Sequence, residues 1–255
     1  MDLHLKDKVI VVSGGAKGIG KAICLQLLED GAVPVVLDKD EVAGKELTKE
    51  FPRIHFISID LNDAFACKKC IEKAEKTLGH IDGLVNNAGF NDGVGLEKGT
   101  PQKFIQSLHS NIGHFYYLAH YCLEYLKKTK GTIVNIGSKV ALTGQGNTSG
   151  YAAAKGGILG LTREWAVELL PDSIRVNAVL PAEVWTPLYE TWINSFADPV
   201  TKKLQIESKI PLENRMTTPQ EIANMVVFLL SDRCSHVTGQ WISPDGGYVH
   251  LDRSL

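Results

Sequence analysis

The sequence predicts an α/β fold, a doubly wound parallel sheet with helices on both faces. Three observations carry that reading. Short apolar runs alternate with longer amphipathic segments along the chain. The runs are continuous rather than alternating, the pattern of strands buried on both faces. Neither an internal repeat nor a linker interrupts the rhythm, so the 255 residues are expected to form a single domain.

The elements follow in order. Val9-Ile10-Val11-Val12 is the first strand, and residues 18–30 are helical. Residues 33–37 form the second strand and 41–50 a polar helix; 54–59 is the third strand and 64–78 a helix. Gly83-Leu84-Val85 enters the fourth strand, and one long helical region covers 101–128. Thr132 to Ile136 is the fifth strand, 151–170 is helical, and 175–180 is the sixth strand. Residues 221–230 make a last helix, and Trp241-Ile242 a short last strand. Residues 183–218 break the pattern, with two tryptophans and several prolines. A long irregular insertion in a regular fold suggests a functional loop; a helical hairpin capping the core is the alternative.

Charge and composition exclude several classes. A net charge of −2 gives no basic footprint for nucleic acid. No run approaches the ~20 apolar residues that span a bilayer, and the first residues lack a signal-peptide core, so a soluble cytoplasmic protein is expected. Five cysteines form an odd, sparse set that suits reduced thiols. Cys67 and Cys70 make a CxxC, but no second pair has ligand spacing, so a structural role and no metal site are expected.

The chemistry begins at Ser13-Gly14-Gly15-Ala16-Lys17-Gly18-Ile19-Gly20, directly after the first strand and opening the first helix. Glycines there allow a tight turn and close approach of a pyrophosphate to the amides of a helix N-terminus. This makes the fold a Rossmann-type dinucleotide binder. Asp38 ends the second strand, 18 residues after Gly20, where a carboxylate accepts hydrogen bonds from ribose hydroxyls and repels a 2′-phosphate. NAD is therefore expected, with NADP left open because Lys17 and Lys39 could meet a phosphate. Tyr151 and Lys155 are four apart in a helical pattern and share a face. An ammonium beside a phenol stabilises phenolate, so the pair is expected to supply a general base of lowered pKa. Ser138 lies beyond the fifth strand, on the carboxyl side of the sheet where ligands bind. Asn111 sits within the long helix, where a satisfied core amide is the plain alternative.

Together, Ser13-Gly14-x3-Gly18-x-Gly20, Asn86-Asn87-Ala88-Gly89, Asn111, Ser138, Tyr151-x3-Lys155 and Thr238-Gly239-Gln240…Asp245-Gly246-Gly247 resemble the short-chain dehydrogenase/reductase family over essentially the whole chain. The resemblance implies that Tyr151 is the acid/base, that Lys155 tunes it and binds the nicotinamide ribose, that Ser138 orients the substrate oxygen and that Asn111 holds a relay water. It implies cofactor contacts from Ser13, Gly14, Lys17, Gly18, Ile19, Gly20, Asp38, Asp60, Leu61, Asn87, Ala88, Gly89, Pro181, Val184 and Thr186. The family commonly forms tetramers, so a homotetramer is expected. Two departures are Ser13 where Thr is usual and Pro181-Ala182 where Pro-Gly is usual.

Asn91, Gln145, Asn147, Glu183 and Trp185 are the candidate substrate residues, since amides and acids suit a hydroxyl-rich ligand and an indole can stack on a sugar; loop fixing is the competing role. The stretches 143–151, 181–189 and 246–253 look like the L-fucose dehydrogenase group, which implies oxidation of a free aldose at its anomeric hydroxyl. A 3-oxoacyl thioester, a hydroxysteroid or a non-catalytic cofactor-binding role are the alternatives.

Overall fold

Seven parallel strands run in the spatial order β3-β2-β1-β4-β5-β6-β7 in the computed structural model, which describes residues 2–251. The strands are β1 (Val9–Ser13), β2 (Val33–Asp38), β3 (His55–Ser58), β4 (Gly83–Asn86), β5 (Thr132–Ile136), β6 (Arg175–Val179) and β7 (Trp241–Ile242). The order reverses between β1 and β4, the switch point where such sheets open a crevice at the strands' carboxyl ends.

Continuous apolar runs in the sequence become two cores because successive side chains point to opposite faces. Ile10, Val12, Val36, Val85 and Val134 pack with Ile23 and Leu27 of α1 (Gly18–Glu29) and with Ile222, Val226 and Leu229 of α9 (Pro219–Leu230). Their neighbours Val9, Val11, Val35, Leu84 and Ile133 pack on the other face. There they meet Ile71 of α3 (Ala64–Leu78), Phe115 and Leu118 of α5 (His114–Thr129) and Ile158 of α6 (Ser149–Glu168). A polar helix, α2 (Glu41–Glu50), lies between β2 and β3.

Two regions depart from the sequence expectation. The helix expected over 101–128 is three pieces: α4 (Pro101–Leu108), one π-helical turn (His109–Gly113) and α5. Such widened turns insert one residue into a helix and often sit at functional sites; this one holds Asn111. The 183–218 segment is not irregular throughout but contains α7 (Pro187–Ile193) and α8 (Pro199–Glu207). Its base is closed by backbone bonds from Thr217 N to Glu183 O and from Trp185 N to Thr217 O, both 2.9 Å.

All five cysteines are buried and free, and burial pushes the Cys67 thiol up to about 12, so the CxxC packs rather than reacts. Among the described residues no helix is long and apolar enough to cross a membrane. The end of the 246–253 stretch, residues 252–253, lies outside the described residues.

Candidate active site

A cleft of about 530 Å³ opens at the carboxyl ends of the strands. One lip is the turn after β1. Gly14, Lys17, Gly18, Ile19 and Gly20 line it. Most other helices start with a side-chain cap: Asp40, Asp63, Thr100, Thr186, Asp198 and Thr218 each accept a first-turn N–H. At the start of α1 the cap position is Lys17, whose side chain caps nothing. Those amides therefore face the cleft with no side chain of their own helix on them, a ready anion site. Gly20 is obligatory in this cradle: a Cβ would stand 2.1 Å from the Gly14 carbonyl oxygen.

Ser13 does not line the cleft. It is fully buried, and its Oγ accepts the Asn87 and Ala88 N–H groups at 2.9 and 3.1 Å. It thus fixes the Asn87-Ala88-Gly89 segment, all three of which line the cleft. The hydroxyl explains why serine serves where threonine is usual.

At the far end lie Asp38, Lys39, Ile59, Asp60, Leu61 and Asn62. The Asp38 carboxylate accepts from Ala16 N at 3.1 Å and Asp40 N at 3.0 Å, so it is held at the cleft edge with lone pairs to spare. The Lys17 ammonium, one of two candidates for a 2′-phosphate, is paired with Asp40 at 2.5 Å. Pro181, Ala182, Val184 and Thr186 form the opposite lip. Thr186 starts α7 by accepting from Tyr189 N at 3.2 Å, and a Cβ on Gly18 would lie 3.7 Å from its side chain, so the lips approach closely there.

Between the lips sit Ser138, Tyr151 and Lys155. The Lys155 ammonium is 2 % exposed, donates to Ile136 O at 2.8 Å and lies 5.5 Å from the Tyr151 ring centre. Burial brings its pKa down to about 7. Burial likewise pushes Tyr151 up to about 12, and the hydrogen bond with Ser138 draws it only partway back. Within the chain alone desolvation dominates at the phenol, and the lowering expected from Lys155 does not show.

Asn111 is fully buried and does not line the cleft. Its Oδ1 accepts from Phe90 N at 2.9 Å and its Nδ2 donates to Ser107 O at 3.1 Å. A Cβ on Gly89 would meet Asn111 Oδ1 at 3.3 Å and Lys155 Nζ at 3.4 Å, so Gly89 is the gap where the amide, the ammonium and the cleft converge.

The five candidate substrate residues do not line the cleft. Asn91 is exposed, and its Oδ1 accepts from Gly93 N at 3.1 Å, an Asx turn. Gln145 and Asn147 are exposed, and Asn147 holds a left-handed φ of 55° in the loop. Trp185 packs under the Lys203 ammonium, 4.4 Å from its ring centre. Glu183 is nearer to use, since its Oε2 accepts from the Tyr189 hydroxyl at 2.7 Å, and Tyr189 does line the cleft. Glu183 is also ion-paired with Lys139.

Tyr189, Lys139 and His114 were missed by sequence reasoning. His114 lines the cleft with Nε2 at 3.1 Å from Ala88 O, and burial lowers its pKa to about 4, so it is neutral. Tyr189 lies inside the 181–189 stretch already singled out, the one signal that pointed to it.

A cradle of amides, an acid at the cleft edge and a Ser–Tyr–Lys set on one cleft define an NAD(P)-dependent oxidoreductase. A family model described as "Enoyl-(Acyl carrier protein) reductase" matches residues 14–249. Mouse L-fucose dehydrogenase is 36% identical over 241 residues, covering 94% of this chain and 88% of that protein. The 3-oxoacyl-[acyl-carrier-protein] reductase FabG of Thermotoga maritima is 34% identical, covering 97% of this chain and all of that one. A solved structure titled Cj0485 dehydrogenase superposes with a TM-score of 0.96 at 46% identity, covering 100% of this chain and 99% of that one. The chain belongs to the short-chain dehydrogenase/reductase family.

Proposed function

We propose that the protein is an NAD-dependent aldose dehydrogenase that oxidises the anomeric hydroxyl of L-fucose to its lactone. The observation that carries the substrate class is the Tyr189 hydroxyl, held by the Glu183 carboxylate at 2.7 Å on the cleft shared with Ser138 and Tyr151. A polar group anchored by a carboxylate suits a ligand rich in hydroxyls better than an acyl chain or a steroid. The likeness to L-fucose dehydrogenase supports the particular sugar; the similar likeness to a 3-oxoacyl reductase is the reason for a direct test.

In this reading Ser138 holds the anomeric oxygen and Tyr151 takes its proton at the phenol oxygen. Lys155 stands behind as proton acceptor and ribose ligand. Asn111 ties the Phe90 backbone to the widened helical turn and holds a water of the proton relay. Gly14, Gly18, Ile19 and Gly20, with Lys17 beside them, would hold the cofactor's pyrophosphate, and Asp38, Asp60 and Leu61 its adenosine. Asn87, Ala88, Gly89, Pro181, Val184 and Thr186 would line the remainder of the cofactor site. When bound, the nicotinamide supplies the hydride acceptor and a positive charge. The hydroxyl loses a proton to the protein and its carbon loses a hydride, which balances the two-electron oxidation.

The test is a panel of free aldoses, 3-oxoacyl thioesters and hydroxysteroids, each with NAD and NADP. L-Fucose with NAD is expected to give the highest kcat/KM; absence of sugar-dependent NADH formation overturns the reading. Proton removal also fixes the sign of the pH dependence. Oxidation is expected to quicken as pH rises through neutrality, because Lys155 near 7 must be neutral to receive the proton. Carbonyl reduction is expected to run the opposite way, and a profile flat across neutral pH contradicts the relay.

Asp38→Ala is expected to raise the KM for NAD about ten-fold or more, the cost of a charged hydrogen bond of ~1.5–3 kcal/mol, and to narrow the gap to NADP. An unchanged NAD/NADP ratio would show that Asp38 does not select the cofactor. We infer in addition a homotetramer in which Ile105, Tyr116 and Val167, exposed at 62%, 53% and 67%, are covered by neighbouring copies. Light scattering is expected to give four times the 27.9 kDa chain mass; a monomer mass contradicts it.

A further inference from the structure

Two tyrosines line the cleft, and their surroundings differ. Tyr151 has Ser138 and Lys155. Tyr189, on the first turn of α7, donates its hydroxyl proton to Glu183 Oε2 at 2.7 Å. The other oxygen of Glu183 is paired with the Lys139 ammonium, and the side chains of Lys139 and Glu183 are 10% and 12% exposed. Lys139 in turn stands 4.4 Å from the centre of the Tyr248 ring. A nearly buried ion pair is costly to desolvate, and breaking one partner strands the other, so this pair sits in one arrangement. Both partners are anchored through their backbones: Lys139 N donates to Pro181 O at 2.9 Å, and Glu183 O accepts from Thr217 N at 2.9 Å.

The consequence for Tyr189 is chemical. Its one proton is committed to Glu183, so to a ligand in the cleft that Tyr189 lines its oxygen has lone pairs alone to offer. Burial and the adjacent carboxylate both push its pKa upward, opposite to what a base needs. Tyr189 is thus a fixed neutral acceptor, and it also stacks edge-on with Trp192 at 5.2 Å, which holds the ring in place.

We propose that Tyr189, oriented by the Lys139–Glu183 pair, is the substrate-specificity residue of the cleft and accepts a hydrogen bond from one non-reacting ring hydroxyl of the aldose. The proposal rests on the aldose reading above and names the group that recognises the sugar. A site built to hydrogen-bond a hydroxyl rejects analogues lacking it, because its polar atom is left unpaired.

The experiment compares wild type and Tyr189→Phe on L-fucose and on its 2-, 3- and 4-deoxy analogues, with NAD affinity and thermal melting measured alongside. In wild type one deoxy analogue is expected to lose about ten-fold or more in kcat/KM. In Tyr189→Phe the KM for L-fucose is expected to rise by a similar factor with kcat within about three-fold, and the preference over that analogue is expected to collapse toward unity. Glu183→Gln, which removes the charge that orients Tyr189, is expected to raise KM in the same direction. A Tyr189→Phe enzyme that melts normally, binds NAD normally and keeps the wild-type discrimination overturns the proposal while leaving aldose oxidation intact. Wild type that oxidises no aldose overturns the aldose reading itself and this inference with it.

Discussion

Tyr151→Phe is expected to lower kcat for aldose oxidation by about 10²–10⁴-fold, the usual share of a positioned acid/base, while NAD binding stays near wild type. The substitution removes one oxygen from a ring that lies among Ser138, Lys155 and the cleft. The hydrogen bond with Ser138 is lost, but Lys155 keeps its bond to Ile136 O, so the cofactor groove is undisturbed. Steady-state turnover beside an NAD titration checks both halves. A variant that keeps wild-type turnover removes Tyr151 from the chemistry.

Gly20→Ala is expected to cost both stability and cofactor binding. The new methyl stands 2.1 Å from the Gly14 carbonyl oxygen and 2.7 Å from Asn87 Nδ2. Backbone on one side and a side chain bonded to Ser13 O and Gly14 O on the other leave no flexible end to move aside. Overpacking of this kind costs roughly 1–3 kcal/mol or more, and in a chain of this size each kcal/mol lowers Tm by about 2–4 °C. The turn that gives way is the one offering amides to the cleft, so the Kd for NAD is expected to rise at least about ten-fold. Melting curves with and without NAD separate the two effects. An alanine variant with wild-type Tm and wild-type NAD affinity would show that the cradle is not built as described.

Most of the architecture is legible in the sequence because parallel strands buried on both faces must be apolar throughout. Val9 to Val12 feed alternate sides of the sheet, and that demand leaves an uninterrupted run. The glycine turn is legible for a related reason: its steric demand leaves only one residue type at Gly20. The widened turn at His109–Gly113 is not legible, because the apolar face continues through it. What sets it apart is the amide of Asn111 reaching Phe90 N and Ser107 O, and Phe90 is distant in sequence.

The substrate wall was the least legible part. Asn91 and Asn147 carry the right chemistry but spend it on loop geometry, and composition does not separate a loop-fixing amide from a ligand-binding one. Glu183 stands out in the sequence for its charge, yet its partners Lys139 and Tyr189 come from the turn after β5 and the start of α7. The Lys139 N–Pro181 O bond brings the first of them to the segment that carries Glu183 and Tyr189. The raised pKa of Tyr151 is not legible for a different reason. Four-residue spacing places Lys155 on the same helical face, but it does not reveal that Lys155 is spent on Ile136 O and buried with the phenol.

Oxidation at the anomeric carbon is the central claim, and L-fucose deuterated at C1 tests it most directly. Incubated with the enzyme and NAD, it is expected to yield the lactone without deuterium and NADH carrying one deuterium on the nicotinamide ring. NADH formed without deuterium would place the oxidation at another carbon, and no NADH at all would contradict the account.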